Sequence, residues 1–196
     1  MLDAPVRRLF ASPLDRAAVG MARIGVRAST ITLVGFIMGM AGVAFIVTEQ
    51  YLGALFFLAL NRLCDIFDGM LARVRGPTAV GGFLDATLDV LVYAMIPFAF
   101  ALTRQQDALA ATFLLVGLMA AAIPVLATRI FSPPRTWDED FVLCGHTENF
   151  FVVVLLCLAE RWTFTPLAYL YGGLCFLSCG ISIISAMGKL RTAAKL

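Results

Sequence analysis

Charge is scarce in this chain. Asp, Glu, Lys and Arg make up 14% of its 196 residues, about half the share found in soluble proteins. That is too little to cover a water-facing surface. No basic block is present, and a net charge of +2 gives no case for nucleic acid as a partner. The five cysteines (Cys64, Cys144, Cys157, Cys175 and Cys179) form no CxxC pair and lie in or beside apolar stretches. They read as reduced packing residues rather than zinc ligands or disulfides. Internal repeats, low-complexity tracts and domain linkers are missing. The first residues carry Asp3, Arg7, Arg8, Asp15 and Arg16 with no apolar core of the signal-peptide kind. The first apolar span is therefore expected to stay in the protein.

What is abundant is apolar. Hydrophobic residues account for 61% of the chain, against roughly 45–50% in soluble proteins, and the mean hydropathy is +0.90. A bilayer-crossing helix needs about 20 mostly apolar residues. Residues 28–48, 108–128 and 162–188 meet this without a charge. Residues 50–73, 81–103 and 141–159 are apolar with charge at one end. The expected fold is all-α and polytopic, with six transmembrane helices joined by short connections. Residues 135–140, with Pro133 and Pro134 just before, form the longest polar stretch and read as the loop before the fifth helix.

Orientation follows from the placement of Lys and Arg. With the N-terminus inside, every Lys and Arg except Arg62, Arg104 and Arg161 falls in a cytoplasmic segment. Both termini are therefore expected in the cytoplasm, and Trp137 and Trp162 at the two interfaces. The expected location is the plasma (inner) membrane. Residues 1–28, where Val6, Leu9, Phe10, Leu14, Val19 and Ile24 alternate with arginines, read as an interfacial segment, an amphipathic helix on the inner leaflet. Residues 29–190 form the membrane domain.

The same orientation brings Asp65, Asp68, Asp85, Asp89, His146 and Glu148 to one cytoplasmic level. Asn61, Asp65, Asp68 and Ala72 follow one helical stripe, and Gly81, Asp85 and Asp89 another. Each carboxylate at membrane depth costs several kcal/mol alone, and the four repel one another. Protons, a basic partner or a metal could offset them. Arg62 and Arg73 supply at most two charges against four. Oxygen ligands with a single nearby His favour Mg2+ or Mn2+ over zinc. Gly69, Ala72, Gly81 and Gly82 leave room for a ligand, and Arg73 points up the same wall as a phosphate partner. Together these suggest phosphoryl transfer.

Asp65-x-x-Asp68-Gly69-x-x-Ala72-Arg73, followed by Gly81-x-x-x-Asp85-x-x-x-Asp89, resembles the signature of the CDP-alcohol phosphotransferase (CDP-alcohol phosphatidyltransferase) family. Every specified residue is present. The spacer from Arg73 to Gly81 is one residue shorter than the common family pattern, which touches the loop more than the carboxylates. The resemblance implies a homodimeric six-helix enzyme with its site facing the cytoplasm. Its reaction would displace CMP from a CDP-linked donor, usually CDP-diacylglycerol, by the hydroxyl of a small alcohol or a lipid. Asp65, Asp68 and Asp85 would be ligands of Mg2+ or Mn2+. Asp89 would be the catalytic base and would touch a second metal ion. Gly69, Ala72, Arg73 and Gly81 would line the nucleotide pocket.

Weaker signals surround this core. Arg27, Ser29, Thr30 and Thr32 stand where the first helix begins, where similar family members place polar residues toward the nucleotide. Thr32 is the best candidate, and an ordinary N-cap by Ser29 or Thr30 is the plainer reading. Glu148 could meet an acceptor, pair with Arg129 or Arg135, or simply favour a helix N-terminus. Arg129 or Arg135 could hold an acceptor phosphate or anchor the chain. Gly35, Gly39 and Gly42, and later Gly172, Gly173 and Gly180, read as close helix packing. Two rival functions stand beside this one. One is a transferase using CDP-choline or CDP-ethanolamine with diacylglycerol as acceptor. The other is a divalent-cation transporter, which would need polar groups at depth on several helices.

Overall fold

The computed structural model describes residues 20–22, 25–76, 78–131, 146–159 and 161–193. Most of the interfacial segment expected over residues 1–28 lies outside them. So do residues 133–140 with Arg135 and Trp137, as well as Cys144 and the side chains of Arg129, His146 and Trp162.

Among the described residues six helices of 13 to 33 residues follow one another: α1 Ala28–Val47, α2 Tyr51–Arg75, α3 Ala79–Thr103, α4 Ala108–Phe131, α5 His146–Leu158 and α6 Arg161–Ala193. A 3-10 turn at Gln105–Asp107 leads into α4. There is no strand among the described residues. Ala28–Val47, Ala79–Thr103, Gln105–Thr128 and Thr163–Gly188 are each long and apolar enough to cross a bilayer. α2 is long enough but charged in its second half, and α5 is a shorter apolar helix. The outer surface matches a lipid solvent: Leu52, Leu109 and Ile184 are all strongly exposed. The chain is an all-α integral membrane protein.

Helix ends differ from the hydropathy windows where capping decides them. α1 begins after Arg27 with no side-chain cap, and the Thr30 N–H reaches the Arg27 carbonyl at 3.1 Å. Ser29 and Thr30 therefore lie inside the helix and do not cap it. At its far end the N–H of Gln50 returns to the Phe45 carbonyl and that of Glu49 to Ile46, both at 2.9 Å. This is a Schellman closure, with Glu49 at φ 59 in the place usually held by glycine. α3 starts at Ala79 because the Thr78 hydroxyl accepts from the Gly81 N–H at 3.1 Å. Gly81 and Gly82 are thus first-turn residues.

α1 packs on both α2 and α3, α4 on α3 and α6, and α5 on α2 and α6. Glycines permit the closest approaches. A Cβ on Gly35 would stand 2.8 Å from Cys64 Cβ, and one on Gly39 would stand 2.8 Å from Val92 Cγ2. Gly172 meets Phe113 in the same way. Gly173 and Gly180 do not, since a Cβ there would meet nothing within 4 Å; they lie on a face of α6 left uncovered among the described residues.

The end of the bundle opposite the acids is fastened by Arg104. Its guanidinium sits 4.9 Å from the Phe164 ring centroid, 5.2 Å from Tyr51 and 5.7 Å from Phe100. It donates to the Tyr51 hydroxyl at 3.3 Å and to the Ala159 carbonyl at 3.5 Å. One cation thereby links the starts or ends of α2, α3, α5 and α6, in a setting where cation–π contacts gain strength from low solvent access.

Candidate active site

The site is built on the second half of α2 and the first half of α3, with α1 packed against both. Helical spacing gives each of α2 and α3 one acidic face, and the packing turns the two faces toward each other. Asp65, Asp68, Asp85 and Asp89 all lie within range of one another's charge. Each of the four interacts with the other three. Arg62 is the cation of the group, with Nη1 3.4 Å from Asp65 Oδ2. It also acts on Asp89. One guanidinium beside four carboxyl groups offsets only part of the charge they can carry.

Asp68 is the most enclosed of the four at 4% exposure, and the Thr32 hydroxyl donates to its Oδ2 at 2.7 Å. Thr32, expected to face a nucleotide, is itself buried and committed to this carboxylate. Asn61, one turn before Asp65 on the same stripe, donates from Nδ2 to the Gly35 carbonyl at 3.0 Å. Beside the acids Gly69 and Gly82 face open space, since a Cβ on either would meet nothing within 4 Å. Gly81 lies against α1: a Cβ there would come 3.6 Å from the Ser29 hydroxyl. Ala72 is half-buried, and Arg73 is exposed in the last turn of α2. Among the described residues no three His, Cys, Asp or Glu side chains converge as a preformed metal cage.

Arg75 lies outside the motif residues. Its guanidinium donates to the carbonyls of Ala22 (3.1 Å), Gly25 (3.3 Å) and Val26 (2.7 Å). Those carbonyls belong to another Schellman closure: Val26 N–H bonds to Met21 O and Gly25 N–H to Ala22 O, with Gly25 at φ 87. A cation at a helix C-terminus is favourable there. The end of α2 is thus pinned to the chain entering α1. Glu148 lies in the first turn of α5, a helix that packs on α2.

Residues 26–184 match the CDP-alcohol phosphatidyltransferase family pattern. This chain belongs to the CDP-alcohol phosphatidyltransferase family. The phosphatidyltransferase is 34% identical over 189 residues to inner membrane protein YnjF of Escherichia coli strain K12, covering 91% of each chain. It is 35% identical over 99 residues to the archaetidylinositol phosphate synthase of Pyrococcus horikoshii, a match covering 50% of this chain and 52% of that one. Its fold is that of phosphatidylinositol phosphate synthase from Mycobacterium tuberculosis. The structure of that protein with CDP-DAG bound aligns with a TM-score of 0.65 at 20% identity, over 91% of this chain and 92% of the other. A second structure of the same synthase, in complex with manganese and citrate, aligns with a TM-score of 0.64 over 91% and 88%. The chain is therefore a membrane-embedded transferase of phospholipid biosynthesis.

Proposed function

We infer that this phosphatidyltransferase moves a phosphatidyl group from CDP-diacylglycerol to the hydroxyl of an alcohol acceptor, a small polar alcohol or a lipid, and releases CMP. The observation that carries this reading is the pair of facing acid stripes, complete in every motif residue and opposed by Arg62. The donor set suits a hard divalent ion: four carboxylates and the Thr32 hydroxyl supply oxygen alone. Asp65, Asp68 and Asp85 would hold Mg2+ or Mn2+, with Asp89 sharing a second ion. When bound, these ions neutralise the pyrophosphate as CMP departs.

The residues of the chain do the rest. Asp89 accepts the acceptor's hydroxyl proton as the oxygen attacks the phosphorus bearing the diacylglycerol, and the bond from that phosphorus to the CMP oxygen breaks. Gly69 and Gly81 let the nucleotide approach the backbone, Ala72 keeps the wall narrow, and Arg73 meets phosphate from the exposed last turn of α2. Thr32 acts through Asp68, fixing the carboxylate that it bonds.

In this reading all six helices span the plasma (inner) membrane. α2, with 25 residues, is about 37 Å long, enough for a hydrocarbon core of about 30 Å. Both termini and the acids face the cytoplasm, residues 1–28 lie at the interface, residues 29–190 form the membrane domain, and the enzyme works as a homodimer. The test is a product assay. Purified protein in detergent or vesicles is given CDP-diacylglycerol, Mn2+ and separate acceptors: glycerol 3-phosphate, inositol phosphate, serine and lipid alcohols. One acceptor should yield CMP and a new phosphatidyl lipid in equal amounts, identified by mass spectrometry. Absence of any phosphatidyl product across the panel would contradict the donor assignment.

A further inference from the structure

Asn61 is a polar residue where packing alone would favour an aliphatic one. It is 8% exposed, one turn deeper in the bundle than Asp65, and its surroundings at that depth include buried Leu58 and Val92. A primary amide placed there costs free energy unless it is hydrogen-bonded. Its bond is specific: Nδ2 reaches the Gly35 carbonyl of α1 at 3.0 Å. The approach depends on the missing side chains of α1, because a Cβ on Gly39 would stand 3.3 Å from that nitrogen. A carbonyl has two lone pairs, so it can take this bond beside its helical one.

One turn back along α1, Thr32 makes the reverse bond, from its hydroxyl to Asp68 Oδ2 at 2.7 Å. The α1–α2 interface is thus tied twice in opposite senses, by α2 into α1 at Asn61 and by α1 into α2 at Asp68. Asp65 lies between the two ties. A slip of one residue along a helix shifts a side chain by about 1.5 Å and turns it by about 100°, which would carry Asp65 and Asp68 off the face they share with Asp85 and Asp89. A single buried amide that sets register at some cost in stability is a known device of packed helices.

We propose that Asn61 is a positioning residue for the acid site: its amide bond to the Gly35 carbonyl holds α1 and α2 in the register that presents Asp65 and Asp68 to a divalent ion. This rests on the reading of the acids as a metal site. Residues that orient metal ligands change metal affinity or activity by about 10–100-fold when removed, and Asn61 should fall in that range.

The experiment compares the wild-type protein with Asn61→Leu and with Leu58→Ala, which loosens the same interface deeper in the bundle. Mn2+ binding is read directly by the spin-resonance signal of free Mn2+. CMP release is followed at saturating CDP-diacylglycerol, and thermal unfolding in detergent is recorded without metal. Asn61→Leu should raise the Mn2+ midpoint at least about tenfold and lower kcat, with KM for the donor unchanged. Leu58→Ala should lower the unfolding temperature and leave the Mn2+ midpoint in place. Asn61→Ala removes the amide with no added bulk and provides the same reading if the leucine variant does not fold. Wild-type Mn2+ binding with an unshifted midpoint in Asn61→Leu or Asn61→Ala would overturn this inference alone. A wild-type protein that binds no Mn2+ would overturn the metal reading and this inference with it.

Discussion

Asp89→Asn is expected to bind CDP-diacylglycerol in a metal-dependent way and yet release almost no CMP. The substitution keeps the shape and removes the ability to take a proton. A general base contributes about 10²–10⁴-fold to rate, so kcat should fall by that factor while donor affinity stays within about twofold. Asp89 is the member of the set furthest along α3, at the inner end of the Gly81–Asp85–Asp89 stripe, and it interacts with Asp65, Asp68, Asp85 and Arg62. Single-turnover CMP release set beside donor binding separates the two effects. Full turnover in Asp89→Asn would remove Asp89 from the base role, and loss of donor binding would make it chiefly a ligand.

Asp85→Ala is expected to have the opposite pattern, abolishing metal binding and every function that follows from it. Asp85 is within electrostatic reach of the other three. Removing it takes a ligand out of the proposed donor set, and Mn2+ affinity should fall by more than the roughly 10–100-fold typical of supporting residues. The sign of the stability change discriminates further. Without metal, Asp85 is repelled by its neighbours, so the metal-free variant should unfold no earlier than the wild type. With Mn2+ at about 100 times its dissociation constant, the wild type gains about 2.7 kcal/mol by mass action, and the variant should gain none. A variant that unfolds earlier without metal and still responds to Mn2+ would mean that Asp85 serves an internal ion-pair network instead.

Much of this architecture is legible in the sequence because the membrane simplifies the code. Apolar windows located all six helices, and the spacing of Asp65, Asp68, Asp85 and Asp89 gave their shared faces before any coordinates. The misses are of one physical kind, in that they depend on partners distant in the chain or on backbone atoms. Arg75 was counted only as a charge, whereas its partners are the carbonyls of Ala22, Gly25 and Val26, which no side-chain pattern can reveal. The setting of Arg104 draws on rings from α2, α3 and α6. The bond of Thr32 to Asp68 depends on how α1 meets α2. The first turn of α3 followed from the Thr78 cap rather than from hydropathy. Asn61 stood in the stripe without a role, because its acceptor is a carbonyl exposed by glycines on another helix.

Four aspartates on α2 and α3 are proposed to hold the divalent ion needed for displacement of CMP from CDP-diacylglycerol. The most direct measurement is CMP release from CDP-diacylglycerol by the purified wild-type protein, before chelation, after chelation, and after return of Mg2+ or Mn2+. Release should stop on chelation, recover with either ion, and be missing in Asp85→Ala under all three conditions. CMP release that persists through chelation, or that continues in Asp85→Ala, would contradict that proposal.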